Sequence, residues 1–131
     1  MRNFRKQATN QTPAIDFNYE THELRISGEC WLEDAAKFWV PVLESLNNYL
    51  ENAGKAKISV AVQLSFLNTG SFKAMVQLYR NLDEAVKKGT AVVFRWRYRK
   101  DDEMARGYGE DLAASVRSAA LQITLEEEEV S

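Results

Sequence analysis

One cysteine, one histidine and two prolines are spread through this 131-residue chain. A lone Cys30 can close no internal disulfide and cannot complete a zinc cluster, which favours a reducing compartment, the cytoplasm. No histidine lies near it in sequence, so it reads as a small, partly buried thiol. A lone His22, with no metal-ligand spacing around it, reads as a turn residue, because a catalytic base needs an orienting partner and a pocket. No run of eighteen apolar residues occurs, so no membrane span is expected. The N-terminal stretch MRNFRKQATNQTP is positively charged, but no apolar segment follows it, and no secretory signal is expected. The segment LNTGSFK holds a single glycine and lacks the spacing of a phosphate-binding loop. These absences leave a catalytic reading without a nucleophile, a metal or a nucleotide cradle. No catalytic residue, metal or cofactor is assigned.

What is present suits one soluble globular domain. Hydrophobic residues make up 45% and charged residues 27% of the chain. The formal net charge is −2, with an acidic block at Glu126–Glu129. That block reads as a solvated tail over residues 126–131. Residues 1–11 read as a flexible N-terminal arm, which leaves 12–125 as the domain. Nothing in the charge layout demands a nucleic-acid or membrane partner.

Ile15, Phe17 and Tyr19 alternate with polar residues, as do Leu24 and Ile26 after a polar turn, which predicts a β-hairpin. Phe38, Trp39, Val42, Leu46, Tyr49 and Leu50 follow helical spacing, with Asp34 as a possible cap and Gly54 as a stop. Pro41 implies that this helix starts nearer Trp39 or kinks there. Residues 58–66 form the cleanest strand, with Ile58, Val60, Val62, Leu64 and Phe66 on one face. A helix over 71–88 follows, then a strand over 91–98. Strand, helix, strand over this length predicts a parallel crossover. Residues 102–118 predict a further helix weakened by Gly107 and Gly109, and Leu121, Ile123 and Leu125 allow a last short strand. The one-sided apolar patterning predicts an α/β domain of order β-β-α-β-α-β-α. Its small mixed sheet would have helices packed mainly on one face.

Two places invite a functional reading. In FRWRYRK, residues 94–100, Arg95, Arg97 and Arg99 share one strand face, and Phe94, Trp96 and Tyr98 the other. Exposed aromatics would suit RNA, but these share parity with Val92 and are expected to face the helices. A nucleic-acid-binding module using the arginine face is the alternative reading, and contact with a partner protein or phosphate is favoured over it. The second place is SFLNTGSFKAM, residues 65–75, where a strand ends and a helix begins. Thr69 there is either part of a helix cap, a job Ser71 could do alone, or an exposed hydroxyl. A phosphate at the second would meet free N–H groups and the positive helix pole.

The order of several segments is informative. TPAI (12–15), SGECWLED (27–34), FWVPVLESLNNYL (38–50), SFLNTGSFKAM (65–75), WRY (96–98) and DDEMARGYGEDL (101–112) together make the chain resemble the SiaC family of bacterial regulatory phosphoproteins. The resemblance implies a fold similar to the anti-sigma-factor antagonist (STAS-like) fold. It also implies a partner-switching role. A partner kinase would phosphorylate Thr69 and a PP2C-type phosphatase would reverse it. The unphosphorylated form would bind an effector such as a diguanylate cyclase, linking the chain to cyclic di-GMP and biofilm control. Asn68, Gly70, Ser71 and Phe72 are the expected docking surface, and Lys73 either contacts the phosphate or a partner carboxylate, or is merely solvated. Gly70 stands where the family usually has serine, which would loosen the loop. Leu32 stands where it often has proline. The pattern fades after about Ser115.

Overall fold

A computed structural model describes residues 2–128. Nine elements follow one another: β1 (Phe4–Lys6), β2 (Ala14–Asn18), β3 (Glu23–Cys30), α1 (Ala35–Glu51), β4 (Lys57–Leu67), α2 (Thr69–Lys87), β5 (Ala91–Arg99), α3 (Glu103–Ser115) and β6 (Ile123–Glu128). The six strands form one mixed sheet in the order β1-β2-β3-β4-β5-β6. The first three are antiparallel neighbours; β3 to β6 run parallel. Each parallel step is a strand-helix-strand crossover to the adjacent strand. Crossovers of one hand that always step the same way put α1, α2 and α3 on the same face. The other face stays open, as the one-sided patterning of the strands predicts.

The core lies between that helical layer and the sheet. Ile58, Val60, Val62 and Leu64 of β4 are fully buried, with Phe94 and Trp96 of β5, Ile15 and Phe17 of β2, and Trp39, Leu46, Tyr79 and Leu112 from the helices. At its far end α2 grips the chain that leads into β6. The Tyr79 hydroxyl donates to the Leu121 carbonyl, and Asp83 accepts from the Leu121 N–H at 2.9 Å. Lys87 lies 3.4 Å from the same carboxylate. The Leu121 N–H first, with Lys87 adding to it against the cost of burial, holds the Asp83 pKa below the ordinary carboxylate value.

Several expectations need correction. Residues 1–11 are not simply an arm. They carry β1, because Phe4 packs on Phe17 and Asn3 accepts from the Tyr19 N–H at 2.9 Å. The acidic segment is not wholly a tail, since Glu126–Glu128 belong to β6, where Glu126 and Glu128 pair in register with Arg97 and Arg99 of β5 (Glu129–Ser131 lie outside the described residues). With β1 and β6 the element order is longer than β-β-α-β-α-β-α. Helix α1 starts at Ala35 and runs through Pro41, with Asp34 accepting from the Lys37 N–H. Phe66 leaves the core face. Gly28 pairs with Leu64 but Glu29 with Phe66, so Ser65 is an extra residue that shifts the alternation, and Leu67 is buried instead. The turn assignment of His22 holds, in a left-handed backbone conformation of φ 61°. Cys30 is a buried free thiol.

Candidate functional site

The parallel strands end on one edge of the sheet, and three helices start there. Each has a short polar cap: Asp34 for α1, Asn68 for α2, Asp102 for α3. At the β4–α2 junction the cap is Asn68 rather than Ser71. Its side-chain oxygen accepts from the Ser71 N–H at 3.0 Å and its carbonyl from the Phe72 N–H at 3.0 Å. Its amide donates to the Leu32 carbonyl, tying the loop after β3 to the start of α2. Thr69 is therefore the first helical residue, and it is exposed. The N–H groups of Thr69 and Gly70 have no partner within the helix. No acidic residue lies in the first turn.

Structure separates the residues that sequence placed together. Thr69, Gly70 and Lys73 are exposed, Asn68 and Phe72 half-buried, and Ser71 fully buried. Ser71 accordingly presents nothing to a partner. Its hydroxyl accepts from the Trp39 indole N–H at 2.9 Å, locking the first turn of α2 onto α1. Gly70 does not loosen a loop either. It is helical, and a Cβ built on it would come within 2.8 Å of the Ala35 Cβ. Its role is close approach of α2 to α1. Of the two hydroxyls at this junction, only that of Thr69 is open to solvent.

Beside Thr69 lies an open groove of about 500 Å³. Leu67, Thr69 and Phe72 line one wall, and Tyr108, Asp111 and Ala114 of α3 the other. Tyr108 and Asp111 were missed as site residues; only the segment DDEMARGYGEDL, matched as a family piece, marked that helix. A second exposed feature sits close in sequence. Trp31, 51% exposed, stacks on Phe66 with ring centroids 3.6 Å apart, and its indole donates to Glu29. Periodicity could not find that pair, because it depends on the extra residue in β4.

The arginine face is partly paired from within. Glu126 lies 3.6 Å from the Nε of Arg95 and 3.2 Å from that of Arg97, and Arg99 lies 3.5 Å from Asp101. Phe94 and Trp96 are buried under the helices, as expected, and offer nucleic acid nothing to stack on. Among the described residues no cluster of potential metal ligands occurs, and no helix is long and apolar enough to cross a membrane.

Thr69 is thus an exposed hydroxyl on an acid-free helix start, beside a groove that Leu67, Phe72, Tyr108 and Asp111 line. The chain belongs to the SiaC family: residues 6–126 match the family described as SiaC family regulatory phosphoprotein. It is thus a regulatory protein, not an enzyme. A curated relative, an uncharacterized protein of Pseudomonas aeruginosa (strain UCBPP-PA14), is 28% identical over 103 residues, 79% of this chain and 81% of that protein. The fold is similar to a chain in the crystal structure of the diguanylate cyclase SiaD in complex with its activator SiaC from P. aeruginosa. The TM-score is 0.85 at 22% identity, covering 95% of this chain and 99% of that one. It is similar also to apo-SiaC of that organism, with a TM-score of 0.81 at 21% identity over 96% and 99% of the two chains.

Proposed function

We propose that this chain is a cytoplasmic partner-switching protein whose state is written on Thr69. A partner kinase phosphorylates the hydroxyl and a PP2C-type phosphatase removes the phosphate. The unphosphorylated form binds an effector such as a diguanylate cyclase, and so sets cyclic di-GMP output. The STAS-like character of the fold belongs to the same reading. One observation carries it: Thr69 is the exposed hydroxyl at the acid-free start of α2, while neighbouring Ser71 is sealed in the core. A phosphate on Thr69 would bring nearly two negative charges and a hydration shell to a surface that includes the groove. An effector seated there would have to displace both. The complex of SiaC with SiaD names the kind of effector to try first.

The test begins with intact mass after incubation with ATP and host lysate. The wild type is expected to gain one phosphate and Thr69→Ala none. Purified host diguanylate cyclases should then bind the unphosphorylated protein and Thr69→Ala alike, and the phosphorylated protein about tenfold or more weakly, a change of about 1.4 kcal/mol. Equal affinity of every cyclase for the two forms would remove the switch.

A further inference from the structure

We infer that the open face of the sheet holds a binding site for a small diphosphate, free or as an ester, in the basin that Arg25, Arg95 and Arg97 surround. The site lies on the side of the sheet that the helices leave uncovered, and it does not depend on Thr69 as a switch.

The basin has a volume of about 480 Å³. Its floor is β4, whose open-face residues there, Ser59, Ala61 and Gln63, are neutral. Ala61 pairs in register with Arg25 on one side and with Arg95 on the other. At the usual strand spacing the two arginine backbones stand roughly 10 Å apart. Both side chains are long enough to close on one anion seated over the Ala61 methyl group. Arg97 follows two residues after Arg95 on the same face, roughly 7 Å along the strand, where it meets a second anionic group.

The guanidiniums are held in place but not used up. Glu126 reaches Arg95 and Arg97 at Nε in both cases, at 3.6 and 3.2 Å, with one carboxylate oxygen for each. Neither contact is the two-nitrogen fork in which arginine binds an oxyanion best. The Arg97 Nε is buried and, among the described residues, makes no hydrogen bond. Arg95 offers one terminal nitrogen to the Ser59 hydroxyl at 3.4 Å. Arg25 lies 3.5 Å from Glu23, and both are exposed. Exposed pairs of this kind are weak, so an incoming anion displaces little. Three guanidiniums and two carboxylates line the basin, an excess of one positive charge in a chain of formal net charge −2. The next carboxylate, Glu128, accepts from the Gln63 amide at 2.8 Å. Arginine forks with the Ser27 and Ser59 hydroxyls between them match phosphate oxygens. No aromatic residue lines the basin, so no nucleic-acid base can stack there. It also lacks the exposed apolar centre of a protein interface. Its size is that of a small-molecule site.

The experiment titrates pyrophosphate, without divalent metal, into the full chain at low salt, read by calorimetry. Saturable binding is expected, and added salt should weaken it. Arg25→Ala and Arg95→Ala should each lower affinity about tenfold or more. Ala61→Glu, which puts a carboxylate where the anion sits, should abolish binding. Arg25→Lys should keep only part of it. Lys37→Ala, which removes an exposed charge from α1, and Thr69→Ala should both bind like the wild type. Denaturation midpoints should stay close to the wild type, because only surface pairs are lost. ADP in place of pyrophosphate distinguishes the source of the diphosphate. Tighter binding of ADP supports an organic ester, and equal or weaker binding supports the free anion. No saturation by either below about 10 mM, or affinity that Arg25→Ala and Arg95→Ala leave unchanged, overturns the site. Equal binding of citrate overturns it as well, since the attraction would then be unselective. So does a preference for a glutamate-rich peptide, which would make the face a protein interface.

Discussion

The β4–α2 and β5–α3 junctions are built to one plan and differ in charge. Each helix starts on a short polar cap, Asn68 or Asp102, that accepts from a first-turn N–H. In each, a buried indole holds the first turn: Trp39 donates to the Ser71 hydroxyl at 2.9 Å, and Trp96 to the Ala105 carbonyl at 2.9 Å. Each helix has a glycine where a neighbour leaves no room, Gly70 against Ala35 and Gly109 against Trp96 and Leu125. The contrast is electrostatic. Helix α3 has an anionic cap and Glu103 as its first residue; α2 has a neutral cap and Thr69. The positive pole of α3 is thus compensated permanently, while that of α2 is left open beside the exposed hydroxyl of Thr69.

The largest effect should come from the tighter glycine. A Cβ on Gly109 would lie 2.5 Å from the Trp96 ring and 2.8 Å from Leu125, while one on Gly70 meets a single methyl group at 2.8 Å. Overpacking costs typically about 1–3 kcal/mol and occasionally more. Contacts at 2.5, 2.8 and 2.9 Å against Leu125 and the fully buried Trp96 ring put Gly109 above that range, well beyond the roughly 1 kcal/mol that replacing a helical glycine by alanine returns. Gly109→Ala should therefore destabilise clearly and Gly70→Ala much less, as read from urea denaturation. Equal losses would mean that the two junctions are packed alike. Next is Ser71→Ala, which strands the buried Trp39 N–H. It should cost about 1–3 kcal/mol, the penalty for leaving a buried donor unpaired. A loss well under 0.5 kcal/mol, roughly the scale of a neutral surface change, would mean that the indole is not what fixes the start of α2.

The far end of α2 gives a pH signature. The folded-state pKa of Asp83 is lowered, so the carboxylate adds stability above its unfolded pKa. That stability is lost as pH falls through the folded value. Asp83→Asn should be less stable than the wild type at pH 7, and the gap should close once the pH drops below the ordinary carboxylate range, near 4. A gap that stayed constant with pH would assign the loss to shape rather than charge.

How much of this was legible depended on whether a feature was local. The hairpin, the three crossover helices, β4 and the open polar face follow from side-chain period alone. Thr69 as the residue to watch followed from a strand-helix boundary and from family resemblance. What escaped was set by distant partners. Phe66 was assigned to the core because nothing local announces the extra residue at Ser65. Ser71 looked like an exposed cap because its real partner, Trp39, is 32 positions away. Gly109 read as a weakness in α3, whereas the Trp96 ring is the reason for it. The N-terminal residues and Glu126–Glu128 look disordered by composition, yet become sheet edges because Phe17 and two arginines of β5 await them.

The finest test of the junction comparison concerns the cap. Asn68 has two tasks: its oxygen caps the helix, and its amide donates to the Leu32 carbonyl. Aspartate could do the first but not the second, so Asn68→Asp should weaken even the unphosphorylated protein. The informative quantity is therefore the change in stability on phosphorylating Thr69, measured separately in each background, so that the lost Leu32 bond cancels. In the wild type the phosphate meets an uncompensated helix pole, which at low salt is worth about 0.3–1 kcal/mol. In Asn68→Asp it meets a carboxylate on the same turn, and that gain should vanish or change sign. Added salt should shrink the difference. If phosphorylation stabilises both backgrounds equally, the neutral cap is explained by its bond to Leu32 alone, and the open pole of α2 plays no part in the switch.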